Sequence, residues 1–171
     1  MSMQQLRFDD APVGPRVEVV RSSKRRKTVS AREVDGVIRV SIPASMSRAE
    51  EAKWVDEMVR RLVRQTTSAG IDLEERARVL AARYDLPRPV SIRWVGNQGS
   101  RWGSCTPADG SVRISDRMAR FPPWVVDYVI VHELAHLVVA AHDERFHALE
   151  QRYPKAERAI GFLIAKGLEG D

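Results

Sequence analysis

With one cysteine in 171 residues, Cys105, the chain can close no disulfide within itself, which fits a reducing compartment. No apolar leader follows Met1, so export is not expected and a cytoplasmic location is. No repeat or low-complexity tract is visible, and aromatic residues make up only 6%. A hydrophobic fraction of 43% beside 30% charged residues argues against disorder and for a soluble domain with a real core. One strongly apolar run exists, Trp124 to Ala141, but it carries Asp127, His132, Glu133 and His136. Those groups are costly in a bilayer, so a buried helix is expected there and no membrane partner.

Charge of one sign is missing from part of the chain. Residues 1–64 hold 14 Lys/Arg against 9 Asp/Glu, whereas residues 65–171 hold 14 against 14, so the whole excess of +5 lies in the first part. The densest run is Arg21 to Lys27, with Lys24, Arg25 and Arg26 inside it. Such a run can attract a nucleotide or nucleic acid, although a solvated loop or strand edge is the commoner explanation.

The pattern predicts a loose lead-in over 1–15 and one domain over 16–171. A weak strand is expected at Val17–Val20. Two alternating runs, Lys27–Val34 and Val37–Ile42, flank Asp35-Gly36 and predict a hairpin over 27–42. Ser47 and Glu50 form a capping box that starts a helix running to about Thr66, with Trp54, Val55, Met58 and Leu62 inward. A second helix is expected from Asp72 to Tyr84, so that helices occupy 47–84. Within the part expected to carry the site, 90–153, strands are predicted at Val90–Val95 and Ser111–Met118, separated by a loop over Gly96–Thr106. Pro122-Pro123 pre-sets a helix expected to reach about Ala141. Shorter helices are predicted over Asp143–Arg152 and 155–167.

The long helix holds His132-Glu133-Leu134-Ala135-His136. Histidines four apart stand one turn above each other on one helical face and can hold one zinc ion. Glu133 points about 100° away from His132, which suits a general base acting on a zinc-activated water. The plain alternative is a core helix with polar interruptions. A catalytic zinc usually takes three protein ligands, and all four histidines, His132, His136, His142 and His147, fall within sixteen residues. His142 follows His136 by six positions, the third-ligand spacing of metzincins, but Val139 stands where those enzymes have a glycine. The turn is therefore expected near Ala140-Ala141. His142 is the expected third ligand, with His147, Glu150 and Glu157 as alternatives.

Arg101-Trp102-Gly103-Ser104-Cys105, then Tyr128 to Leu137 around the histidine pair, then His142 and Phe146, resemble the YgjP-like metal-dependent hydrolases, relatives of SprT-like and WLM zinc peptidases. His147 stands where that family usually has Trp, and Ala141 where Asn is common. The resemblance implies an α+β, zincin-like fold: a small, mostly antiparallel sheet on helices, with the histidine motif on a buried active-site helix. It implies a Zn2+ site at His132, His136 and His142, with Glu133 catalytic.

Arg101 is a candidate for binding a substrate carboxylate or phosphate, or for steadying an oxyanion. Tyr128, one turn before His132, is a candidate beside it; Trp102 reads as a packing anchor and Cys105 as a small buried residue. A peptide could add as a strand to the edge leading into Arg101, or to the strand from Ser111. The expected function is a zinc metallopeptidase acting on a peptide or protein. The alternatives are a nucleoside-triphosphate pyrophosphatase, with phosphates held by the basic run, and a nucleic-acid-associated module with a non-catalytic metal.

Overall fold

The computed structural model describes residues 15–168, so the lead-in expected over 1–15 lies almost wholly outside the described residues. The elements are β1 (Arg16–Ser22), β2 (Ser30–Val34), β3 (Val37–Pro43), α1 (Arg48–Ala69), α2 (Leu73–Tyr84), β4 (Ser91–Val95), β5 (Gly103–Thr106), β6 (Ser111–Ser115), a 3₁₀ turn (Asp116–Arg120), α3 (Pro123–His136), α4 (Glu144–Glu150) and α5 (Ala156–Leu168). The sequence pattern reads residues 16–171 as one domain; in the packing, two compact units divide between Val63 and Arg64.

In the first unit, Asp35 and Gly36 both take positive φ (52° and 74°), the turn a tight hairpin needs between β2 and β3. β1 then pairs with the other edge of β3 and runs parallel to it, giving the order β1-β3-β2. Ile38, Val40 and Ile42, alternate residues of β3, form the core with Val55, Met58, Val59 and Leu62 of α1. The predicted capping box is formed: Glu50 N donates to Ser47 Oγ at 3.3 Å, and Ser47 N donates to Glu50 Oε2 at 3.1 Å. Trp54, expected inward, is 42% exposed. It precedes the Val55, Met58, Val59, Leu62 stripe by one residue and so points off that face.

The second unit repeats the sheet order, β4-β6-β5, with β4 parallel and β5 antiparallel to β6. Both sheets are thus half parallel, which corrects the expectation of a mostly antiparallel sheet. The cause is topological: two successive reversals bring the third strand back to the direction of the first, and it lies between the other two. β5 also corrects the expected loop over Gly96–Thr106. Its four residues are too few and too polar to show a period-2 pattern, and pairing with Ser111–Ile114 makes them a strand. The strand predicted to reach Met118 stops at Ser115, where the 3₁₀ turn buries Asp116, Met118 and Ala119.

α3 runs through the middle of this unit, with nine of its fourteen side chains buried. Leu73, Ala77, Leu80 and Ala81 of α2 pack in the same core, as do Ile92, Val112 and Ile114 of the sheet. No helix among the described residues is long and apolar enough to cross a membrane.

Candidate metal centre

α3 ends at His136, one and a half turns before the expected Ala141. Leu137 and Val138 tighten onto the carbonyls three residues back, Leu134 and Ala135, at 3.1 and 3.0 Å. The carbonyl of Val139 is taken by the His136 side chain, at 3.1 Å from Nδ1, instead of by a further helical turn. The chain reverses through 137–143 with no positive φ, so the glycine of the metzincin turn is not needed.

Asp143 then caps α4, its Oδ1 accepting from Phe146 N at 2.9 Å. Starting α4 there sets its inner face. Phe146 and Glu150, four residues apart, are both buried, at 0% and 5% exposure. The Phe146 ring lies 4.9, 4.4 and 4.7 Å, centroid to centroid, from the rings of His132, His136 and His142. Three imidazoles from two segments therefore share one aromatic floor.

The ring nitrogens converge. His142 Nε2 is 3.1 Å from His136 Nε2 and 3.4 Å from His132 Nε2. The three side chains are the one group of ligating type brought this close together among the described residues. Nitrogens at about 2.0–2.1 Å from a tetrahedral zinc lie about 3.3 Å from one another, so the spacing fits a common ion. The outer nitrogens agree: His132 Nδ1 is 2.7 Å from Glu150 Oε1, and His136 Nδ1 faces the Val139 carbonyl. Both partners only accept, so each Nδ1 carries the proton and each Nε2 keeps its lone pair for a metal.

Of the alternative third ligands, His147 is half exposed and its Nδ1 faces Glu150, at 3.3 Å from Oε2. Glu157 is exposed on α5. Glu150 faces the outer nitrogen of His132, not the side where the Nε2 atoms meet. Burial at first works against its charge, but hydrogen bonds from His132 and Tyr128 outweigh this and hold its carboxyl down at about 2.

Glu133 is 5% exposed. Burial pushes its carboxyl up to about 7, against the pull of His132 and Arg101. Its side chain rests on Gly103: a Cβ there would stand 2.5 Å from Glu133 Oε1. The glycine of the Arg101–Cys105 segment is thus explained by the carboxylate it must admit.

These groups border an open cavity of about 870 Å3, with Arg101, Cys105 and Tyr128 also on its walls. Arg101 is exposed there, close enough for its charge to act on Glu133. The Tyr128 hydroxyl is already committed, donating to Glu150 Oε1 at 2.5 Å. Trp102 packs on Phe121, its ring also covered by the Arg117 guanidinium. Burial and the nearby Glu133 charge raise the Cys105 thiol to about 11, which keeps it protonated and a poor metal ligand. Glu150, an alternative third ligand from the sequence, is instead a hydrogen-bond partner of His132. Its i, i+4 spacing from Phe146 was the available signal.

The sequence also matches the YgjP-like metallopeptidase domain over residues 23–160. The chain belongs to this family. The resemblance carried by the Arg101–Cys105 segment and the histidine motif is thereby shown, and at the family level this is a metal-dependent peptidase. YgjP-like membership implies a metal ion, and the three histidines supply a place for one. The fold is similar to that of the metallopeptidase zymogen of Pyrococcus abyssi abylysin, with a TM-score of 0.51 at 18% identity. That likeness covers 58% of this chain and 98% of the archaeal one. No curated protein matches the sequence.

Proposed function

We propose that the chain is a zinc-dependent peptidase in which His132, His136 and His142 hold the ion and Glu133 is the general base. The observation that carries this reading is the convergence of three Nε2 atoms within 3.1 and 3.4 Å links, beside a buried carboxylate. Zinc, when bound, acidifies water and polarises a carbonyl oxygen. The chain's own residues do the rest.

Glu133 takes a proton from the attacking water and later hands it to the leaving amine. In the metal-free chain burial raises the Glu133 carboxyl, which makes it a stronger base than an exposed glutamate. Arg101, exposed at the cavity wall, binds a substrate carboxylate or steadies the developing oxyanion. Tyr128, with its hydroxyl given to Glu150, is not free to do the same. An extended peptide adds along β5, which lies at the edge of its sheet and lines the cavity. Of the two strands considered from the sequence, β6 is interior and offers no edge, and β4, which leads towards Arg101, is the opposite edge of the sheet. Ile160, Leu163 and Ile164 of α5 give the cavity an apolar wall, suited to an uncharged side chain near the scissile bond.

The test is to incubate the zinc-loaded chain with unfolded protein, a peptide library and nucleoside triphosphates, with Glu133→Gln as control. Peptide cleavage is expected, reduced by about 10²–10⁴-fold or more in the variant, which should retain zinc. A fully active variant overturns the assigned base. Pyrophosphate release without peptide cleavage overturns the peptidase in favour of the nucleotide reading.

A further inference from the structure

The three donors gathered on one buried carboxylate point beyond the ligand set itself. Glu150 has both oxygens engaged: Oε1 accepts from Tyr128 Oη at 2.5 Å and stands 2.7 Å from His132 Nδ1, while Oε2 stands 3.3 Å from His147 Nδ1. It is 5% exposed and comes from α4, eighteen positions along the chain from His132. An ionised carboxylate offers acceptors alone, so each of the three groups facing it must present a hydrogen to it.

We infer that Glu150 is a positioning residue for the metal ligand His132, and that Tyr128 in turn fixes Glu150. This rests on the zinc reading above. Glu150 holds the His132 proton on Nδ1 and stops the ring from turning about its Cβ–Cγ bond. The Nε2 lone pair is thereby aimed at the place where His136 and His142 also point, before any ion arrives. Pre-orienting a ligand in this way raises metal affinity, because binding need not select one tautomer and one rotamer from several. The geometry also gives α4 a purpose that packing alone does not. Phe146 supports the three rings from below, and Glu150, one turn on, locks the first of them. His136 is locked differently, by the backbone carbonyl of Val139. His142 Nδ1 is given no such partner among the described hydrogen bonds, so the pre-set part of the site is the helical pair.

The experiment uses the full chain and two readouts. Zinc affinity is measured by competition with a chromophoric chelator, and the His132 tautomer by long-range ¹⁵N NMR correlation in the zinc-free chain. Wild-type His132 is expected to carry its proton on Nδ1. Glu150→Gln keeps the shape and removes the charge. It should weaken zinc binding by about 10- to 100-fold and shift part of the His132 population to the Nε2-protonated form. Tyr128→Phe leaves the carboxylate in place but frees it to turn, and should keep the tautomer while weakening zinc binding by less than Glu150→Gln does. Wild-type affinity in Tyr128→Phe overturns the part given to Tyr128.

As a control for stability alone, Asp116→Asn removes a different buried carboxylate, 3.4 Å from Arg64 Nε, and should leave zinc affinity unchanged. Wild-type affinity in Glu150→Gln overturns the inference, as does an Nε2-protonated His132 in the wild-type chain, which needs no variant to fold. A wild-type chain that binds no zinc overturns the metal reading instead.

Discussion

At the scale of single residues, the site sets two carboxylates of one helix–turn–helix segment to opposite tasks. Glu150 is surrounded by donors and stays charged far into acid; Glu133 is buried against Gly103 and gains a proton readily. The consequence for stability has opposite signs. Glu150, lowered to about 2 from 4.5, contributes stability that is present above pH 4.5 and lost as the pH falls towards 2. Glu133, raised from 4.5 to about 7, favours the folded state fully below pH 4.5, and that contribution is lost as the pH rises through 7.

In the zinc-free chain, stability should therefore fall by up to about 3 kcal/mol between pH 4.5 and 8 on account of Glu133. Urea unfolding of Glu133→Gln over that range should show a flatter profile, because histidine titration is common to both chains. Equal slopes in the two chains would remove the burial argument for Glu133.

Among the elements, α4 decides how the three histidines meet, and it is only seven residues long. A helix this short is not stable by propensity, so its cap and its buried face carry it. Asp143→Ala should lower stability by about 1 kcal/mol through the lost N-cap. Because α4 brings Phe146 and Glu150 to the three histidines, the same variant should also weaken the zinc binding proposed for them. Melting temperature and zinc affinity measured together test this: a fall in the first with no change in the second would separate the cap from the site.

α5 has a different part, presenting Ile160, Leu163 and Ile164 along the cavity. Leu163→Lys should raise KM for peptides with an apolar side chain more than it lowers kcat, measured on paired peptide substrates; a pure kcat effect would place α5 away from the bound chain.

For the whole molecule, the excess charge and the candidate centre belong to different units. Lys24, Arg26 and Lys27 are exposed, whereas Arg21 is tied to the Ala44 and Met46 carbonyls and to Glu51. All three converging histidines lie in the second unit. Binding an ion to the folded site alone stabilises it by mass action, by about 4 kcal/mol when free zinc exceeds its dissociation constant a thousandfold. Zinc should thus raise the melting temperature of the wild-type chain and a chelator should reverse it. His142→Ala should show little of either effect; an unchanged response in that variant would discard His142 as a ligand.

Much of this was legible in the chain itself, for local reasons. His132 and His136 lie on one face because four residues make about one helical turn, and Asp35-Gly36 marks a hairpin because both take positive φ. Ser47 and Glu50 announce a helix start by their own reciprocal bonds. What the sequence could not reveal depends on groups distant along it. β5 is a strand only through β6, and each sheet is half parallel only because its third strand inserts between the first two. α3 stops at His136, and the carbonyl of Val139 just beyond it meets that histidine's side chain. The outer nitrogen of His132 meets Glu150, and Gly103 admits Glu133, only once α4 and β5 are packed against α3. Periodicity and spacing are properties of neighbours in sequence and place the donors on their elements. Convergence, burial and proton affinity belong to neighbours in space, and tertiary packing alone decides them.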